Sequence, residues 1–348
     1  MELAVRRTLG AIEPGTVMLF GGLIAANIAA WAWAFALFGD RPTVLATALL
    51  AWVFGLRHAV DADHIAAIDN VVRKLMQTGG APHSVGLYFA LGHSTVVMVA
   101  TILLALGVVS LGGDSLLKEI GGLIGTSVSA LFLLVIAAIN LVIFVGLWRT
   151  FRTAREQGVH DAEGLERLLA NRGVLARLLG PLFRLVTKPW HMYPLGFLFG
   201  LGFDTATEIG LMGIAAAEAA RGMPVWSILV FPVLFTAGMS LIDTADSLLM
   251  TGAYGWAFMK PIRKLYYNLT VTLVSVLIAL LVGGIEALGL IADRLQLKGG
   301  LWDASASLAE HFGLLGYGIV AIFAACWLVS ALIYKCRGYD AIDGTIAR

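Results

Sequence analysis

Eight apolar stretches of about 20 residues or more, near 16–38, 45–68, 85–110, 122–147, 192–217, 225–250, 267–292 and 312–334, dominate the chain. Each is long enough to cross the hydrocarbon core of a bilayer as a helix. Pro14, Pro42, Pro82, Pro224 and Pro261 fall between them, where proline belongs. Only 14% of the 348 residues are charged and 59% are hydrophobic. A soluble domain carries about 25% charged residues, so this chain lacks the charge to cover a water-facing surface. It reads as an all-α polytopic membrane protein, a single domain over 1–348 with eight transmembrane helices. The first stretch, at about 23 residues, exceeds the 7–15 of a signal-peptide core and is read as a retained span.

The basic residues orient these spans. With the N-terminus cytoplasmic, 18 Lys and Arg fall in inside segments, 5 outside, and Arg57 lies within span two. That split places both termini in the cytoplasm and requires an even number of spans. The one extended polar segment, about 149–190, is then a cytoplasmic loop between spans four and five. Within it, Val159 to Arg184 mixes leucines with charges at near-helical spacing. It reads as an amphipathic helix packed on the membrane surface. Cys326 and Cys336 suggest neither a disulfide nor a metal cluster.

Four spans carry polar groups that lipid does not tolerate without a purpose. Span two holds His58-Ala-Val-Asp61-Ala-Asp63-His64, and span three holds Gly92-His93-Ser94-Thr95. Span five holds Asp204-Thr205-Ala-Thr207-Glu208, and span six Asp243-Thr244-Ala-Asp246. Ionisable side chains at that depth cost several kcal/mol and mark ion pathways. Two imidazoles beside two carboxylates suit first-row divalent metals. Arg57 is better placed to neutralise a carboxylate than to meet a cation. Asp69, at the inner end of span two, reads equally as a solvated or capping residue and as part of an exit path. Ser94, Thr95, Thr205 and Thr207 read as hydrogen bonds between helices.

The motifs also repeat. Phe54-Gly55-Leu56 opens the span-two motif and Phe199-Gly200-Leu201 the span-five motif. Phe89 to Gly92 begins 35 residues after Phe54, and Phe235 to Gly238 begins 36 residues after Phe199. Spans two and three therefore read as a repeat of spans five and six, inverted in the membrane. Inverted repeats are a transporter plan with the substrate at the repeat interface.

Spacing limits how span two can hold an ion. On a straight helix His58, Asp61 and His64 share one face, but Asp63 points elsewhere and the histidines lie about 9 Å apart along the axis. Either the helix unwinds here, eased by Gly55, or some residues only orient others. Asp61 or Asp63 holding a ligating imidazole is the usual form of that division.

These segments resemble the nickel/cobalt transporter family of high-affinity permeases. Arg57-His-Ala-Val-Asp-Ala-Asp63-His64-Ile is similar to its first signature, and the segments beginning at Leu91, Leu201 and Gly238 match the others in order. The resemblance covers about residues 20–335. It implies uptake of Ni²⁺, Co²⁺ or both across a bacterial cytoplasmic membrane, supplying metalloenzymes such as hydrogenase or urease. It implies that His58, Asp63 and His64 matter most, and it adds His93, Asp204, Glu208, Asp243 and Asp246.

No Walker motif is present in the sequence. ATP hydrolysis by this chain, a resident cofactor and a nucleic-acid partner are not expected; the partners are a divalent transition-metal ion and the bilayer. The membrane potential or a proton gradient is left to drive uptake. Metal efflux is the nearest rival, but exporters of this kind often carry a histidine-rich loop and 149–190 does not. A membrane metalloenzyme would need more than the three histidines within spans, and His-Glu-x-x-His is absent.

Overall fold

The computed structural model describes residues 14–77, 79–107, 116–157, 186–202, 205–258 and 261–336. Among these every regular element is helical. In chain order they are α1 (Pro14–Phe38), α2 (Pro42–His58), α3 (Ala62–Gln77), α4 (Val85–Ala105), α5 (Leu116–Gln157), α6 (Met192–Phe199), α7 (Ala206–Ala220), α8 (Val225–Ile228), α9 (Val230–Phe258), α10 (Pro261–Leu295), α11 (Leu301–Glu310) and α12 (Phe312–Cys336). A single 3₁₀ turn, Pro189–His191, precedes α6. Proline opens α1, α2 and α10, where its missing N–H has no intrahelical partner to lose.

Five helical segments are each long and apolar enough to cross a membrane: Pro14–Phe38, Val85–Ala105, Ile120–Gly146, Val225–Gly252 and Leu269–Leu295. Two bent pairs raise the number to seven. α2 and α3 meet at 50°, and α11 and α12 at 78°. The expected span at 192–217 is instead divided into α6 and α7, of 8 and 15 residues. α5 continues to Gln157, so the start of the expected cytoplasmic loop is helical. The amphipathic helix expected over Val159 to Arg184 lies outside the described residues.

Where both phases are apolar, helices associate through close packing at small residues and through interhelical hydrogen bonds. α2 and α9 meet in this way. A Cβ on Gly55 would overlap the Phe235 carbonyl oxygen, and one on Gly238 would lie 2.8 Å from that of Trp52. α4 and α6 repeat the contact, with Gly92 against the Tyr193 carbonyl and Gly196 against that of Phe89. In both pairs each glycine rests on the carbonyl three residues before its partner, as in two helices running the same way. α1 lies antiparallel to both α2 and α9. Phe38 at its end stacks on Phe231 near the start of α9, and Asn27 earlier in the helix donates to Ala237 O at 3.1 Å and accepts from Trp52 Nε1 at 2.9 Å.

Two large apolar cores result among the described residues, beside a small cluster of Ile136, Ala137, Ile139 and Ala279. One gathers α1, α2, α7 and the first half of α9 around Phe231 and Phe235. The other gathers α3, α6, α10 and α12 around Ile68, Phe199 and Val282. α4 contributes Ala90 and Val97 to the first and Val85 and Phe89 to the second.

We predict that Gly92→Ala destabilises the folded protein by about 1–3 kcal/mol, the usual cost of overpacking a filled interface. Gly213→Ala, where nothing lies within 4 Å, should be neutral. Thermal unfolding in detergent measures both, and equal midpoints would contradict the packing account.

Candidate metal centre

The helix does break where the histidines are. After His58 the backbone makes a tight turn, with Val60 N–H donating to Arg57 O at 3.0 Å and Asp61 N–H to His58 O at 2.9 Å. α3 then restarts at Ala62 on a new axis. Aspartate is well suited to such a restart: it favours the position before a helix, and the first turn favours negative charge. Asp61 and Asp63 occupy those two places. The His58 and His64 rings thereby come to 4.6 Å between centroids, where a straight helix would hold them about 9 Å apart along its axis.

His93 of α4 completes the group. Its ring lies 4.8 Å from that of His58 and 5.0 Å from that of His64. All three residues are at most 3% exposed. One nitrogen from each lies within 4.8 Å of the other two, the one such set of histidine, cysteine and acidic groups among the described residues.

Hydrogen bonds decide which nitrogens are available. Asp61 Oδ2 lies 3.0 Å from His58 Nδ1. A carboxylate accepts, so Nδ1 carries the proton and Nε2 presents its lone pair. Asp243 of α9 does the same for His64, with Nδ1 3.4 Å from Oδ1, while His64 Nε2 is buried with no hydrogen-bond partner. Both are the carboxylate–imidazole arrangement that orients a ligating histidine. His58 Nε2 faces His93 Nε2 at 2.9 Å. Two nitrogens each about 2.1 Å from one metal and at a right angle to each other stand about 3.0 Å apart.

Glu208 arrives from α7. Thr205-Ala-Thr-Glu208 has the pattern of a capping box, and the Thr205 side chain accepts from Glu208 N–H at the start of α7. The glutamate does not close the box. Its Oε1 lies 2.9 Å from His93 Nε2, the same nitrogen that faces His58, and its Oε2 accepts from Thr205 Oγ1 at 2.9 Å. Thr207 Oγ1 lies 3.1 Å from His58 Nδ1. The threonines do join helices as expected, but their partner is the central histidine, a proximity that local sequence spacing does not reveal.

The other expected residues take varied places. Asp63 has one carboxylate oxygen buried without a hydrogen-bond partner, and so has Asp246. Asp204 lies outside the described residues. Arg57 approaches Asp61 at 3.9 Å, in keeping with a neutralising role. Asp69 is fully buried and bound to Arg73 at 3.3 Å, which removes the solvated reading. Arg73, one of the basic residues counted to the inside segments, is also fully buried. α3 carries it beyond the apolar stretch to the Val271 carbonyl of α10.

We predict that Asp61→Asn weakens binding of Ni²⁺ or Co²⁺ by about 10–100-fold, the usual effect of removing the group that orients a ligating imidazole. Calorimetric titration of the purified protein measures it. Unchanged affinity would show that Asp61 does not set the His58 ring.

The model of the family NicO, High-affinity nickel-transport protein, matches residues 44–333. The chain is 72% identical over 321 residues to the hydrogenase nickel incorporation protein HupN of Bradyrhizobium diazoefficiens, covering 92% of this chain and 84% of that one. It is 58% identical over 325 residues to the high-affinity nickel transport protein of Cupriavidus necator, with 93% of each chain covered. With the cobalt transport protein NhlF of Rhodococcus rhodochrous it shares 43% over 291 residues, 82% of each. No solved structure matches the chain. The chain belongs to the NicO family of high-affinity nickel-transport proteins, a family of transporters and not of enzymes.

Proposed function

We propose that this protein imports Ni²⁺, with Co²⁺ as a related substrate, across a bacterial cytoplasmic membrane, and that His58, His64 and His93 hold the ion in transit. The observation that carries the reading is the convergence of three buried imidazoles, two of them oriented by carboxylates. Nitrogen ligands favour Ni²⁺ and Co²⁺ over Mg²⁺, and the 2.9 Å separation of the His58 and His93 nitrogens suits the right-angled geometry of a tetragonal site. Relatives are named for nickel and for cobalt, and ligand type does not separate the two ions, which are adjacent in the affinity series.

In this reading Asp61 and Asp243 orient the first two histidines, and Glu208 balances charge at the third. Asp63, Asp204 and Asp246 line the path on either side. The path itself is built from eight spans, with α6 and α7 counted as one broken span and both termini in the cytoplasm. Two features support that topology. α2 and α9 run the same way, which requires an odd number of crossings between them; α4, α5 and the α6–α7 pair supply three. The matching glycine contacts of α2 with α9 and of α4 with α6 pair the spans of one repeat with those of the other. An inverted repeat of spans two and three with five and six accounts for both. Broken helices at the repeat interface are the common substrate site of such transporters.

Inward movement of a dication is favoured by the membrane potential, at about 2 × 2.3 kcal/mol per 100 mV. No further energy source is needed for modest accumulation.

His58→Ala and His64→Ala should each abolish accumulation of radiolabelled Ni²⁺ while the protein still reaches the membrane. Uptake at the level of the unmodified protein by either well-expressed variant would overturn the assignment.

A further inference from the structure

Beyond the histidines, α3 carries a second polar layer that the transport site does not use. Asp69, Asn70 and Arg73 are all fully buried. The Arg73 guanidinium donates to Asp69 Oδ2 at 3.3 Å, to Asn70 Oδ1 at 3.2 Å and to the Val271 carbonyl of α10 at 3.5 Å. Asn140 of α5 donates to the same Asn70 oxygen. One cation, carried on a side chain, is therefore seated among oxygens and joins α3 to α10, and Asn70, which it binds, joins α3 to α5.

The order along the helices gives this layer its meaning. Arg73 follows His64 by nine residues, about 13 Å along α3, and Asp69 lies between them. On α9, Asp243 holds His64, and Asp246 stands a turn further on. Asp246 has one carboxylate oxygen buried without a hydrogen-bond partner. Carboxylates thus step away from His64 on both helices, Asp243 and Asp246 on α9 and Asp69 on α3, and the guanidinium sits on Asp69. A dication taking those steps meets a fixed positive charge already in place.

A purely structural ion pair explains this poorly. An (i, i+4) pair on a helix forms readily in water, whereas burying the arginine at this depth is costly, and an apolar side chain would fill the same space without that cost. The contact with a carbonyl of a neighbouring helix adds a link between elements that a local pair does not need.

We propose that Arg73 is a tethered cation that closes the inward end of the path, occupying Asp69 while the histidine site is shut off and leaving it when metal is released. The proposal rests on the inward direction of transport given above. Its test requires no metal, so its failure and that of the transport reading are separate results.

Ser275 on α10 is fully buried one turn from Val271, its hydroxyl on that residue's carbonyl at 3.0 Å. Ser275→Cys, in a background with Cys326 and Cys336 replaced by Ala, serves as the reporter. Inside-out and right-side-out vesicles are exposed to a membrane-impermeant maleimide. With Arg73 present the thiol should react slowly from both sides. Arg73→Gln should raise the rate at least tenfold in inside-out vesicles alone, and Arg73→Lys should fall between. If Arg73→Gln does not reach the membrane, Asp69→Asn breaks the same pair and should give the same rise. An unchanged rate in whichever variant is expressed, or an equal rise from both sides, would overturn the proposal.

Discussion

The turn after His58 is the constraint on which the site depends. Two histidines six residues apart cannot meet on a regular helix. Three residues of tight turn and a 50° change of axis bring their rings into contact. The turn also frees Asp61 to hold the His58 ring from below. The last span seals the arrangement from the side: a Cβ on Gly316 would overlap the Val60 carbonyl within the turn. Irregular backbone at membrane depth is tolerated only where protein covers it or it lines a cavity, and here α12 supplies cover.

Around that turn the protein satisfies polar groups in layers. The histidines stand on α2, α3 and α4 and take their partners from the turn (Asp61), from α9 (Asp243) and from α7 (Glu208), while His58 also meets His93. On the side of α1 and the start of α9 the packing is apolar, centred on Phe231, Leu234 and Phe235. Towards the end of α3 it is charged, centred on Asp69 and Arg73. Apolar and ionic contacts respond to different things. The first part only when helices move against each other, whereas the second also respond to a nearby charge.

Much of this was legible in the sequence because lipid makes polar residues conspicuous. His58, His64, His93, Glu208 and Asp243 stood out in apolar stretches, and the structure gathers them at one place. Helical rise alone posed the choice between a break and a division of roles, and the structure has the break. Three features were not legible. The meeting of His93 with His58 depends on how α4 crosses α2, which no local spacing encodes. The division of the stretch at 192–217 has no proline at the break itself, since Pro194 lies in the first turn of α6; the small residues around Gly200 and Gly202 allow it, but small residues are common in spans. Arg73 was hidden because a basic residue beyond an apolar stretch ordinarily belongs to a loop, and only the continuation of α3 to Gln77, packed against α10, shows that it is buried.

The central claim is that three imidazoles meet one transported ion at the turn. X-ray absorption at the nickel edge, on protein loaded with one equivalent of Ni²⁺, tests it directly. The account expects the multiple-scattering signature of three histidine rings in the metal's shell. A shell made of oxygen alone, with no imidazole scattering, would contradict it.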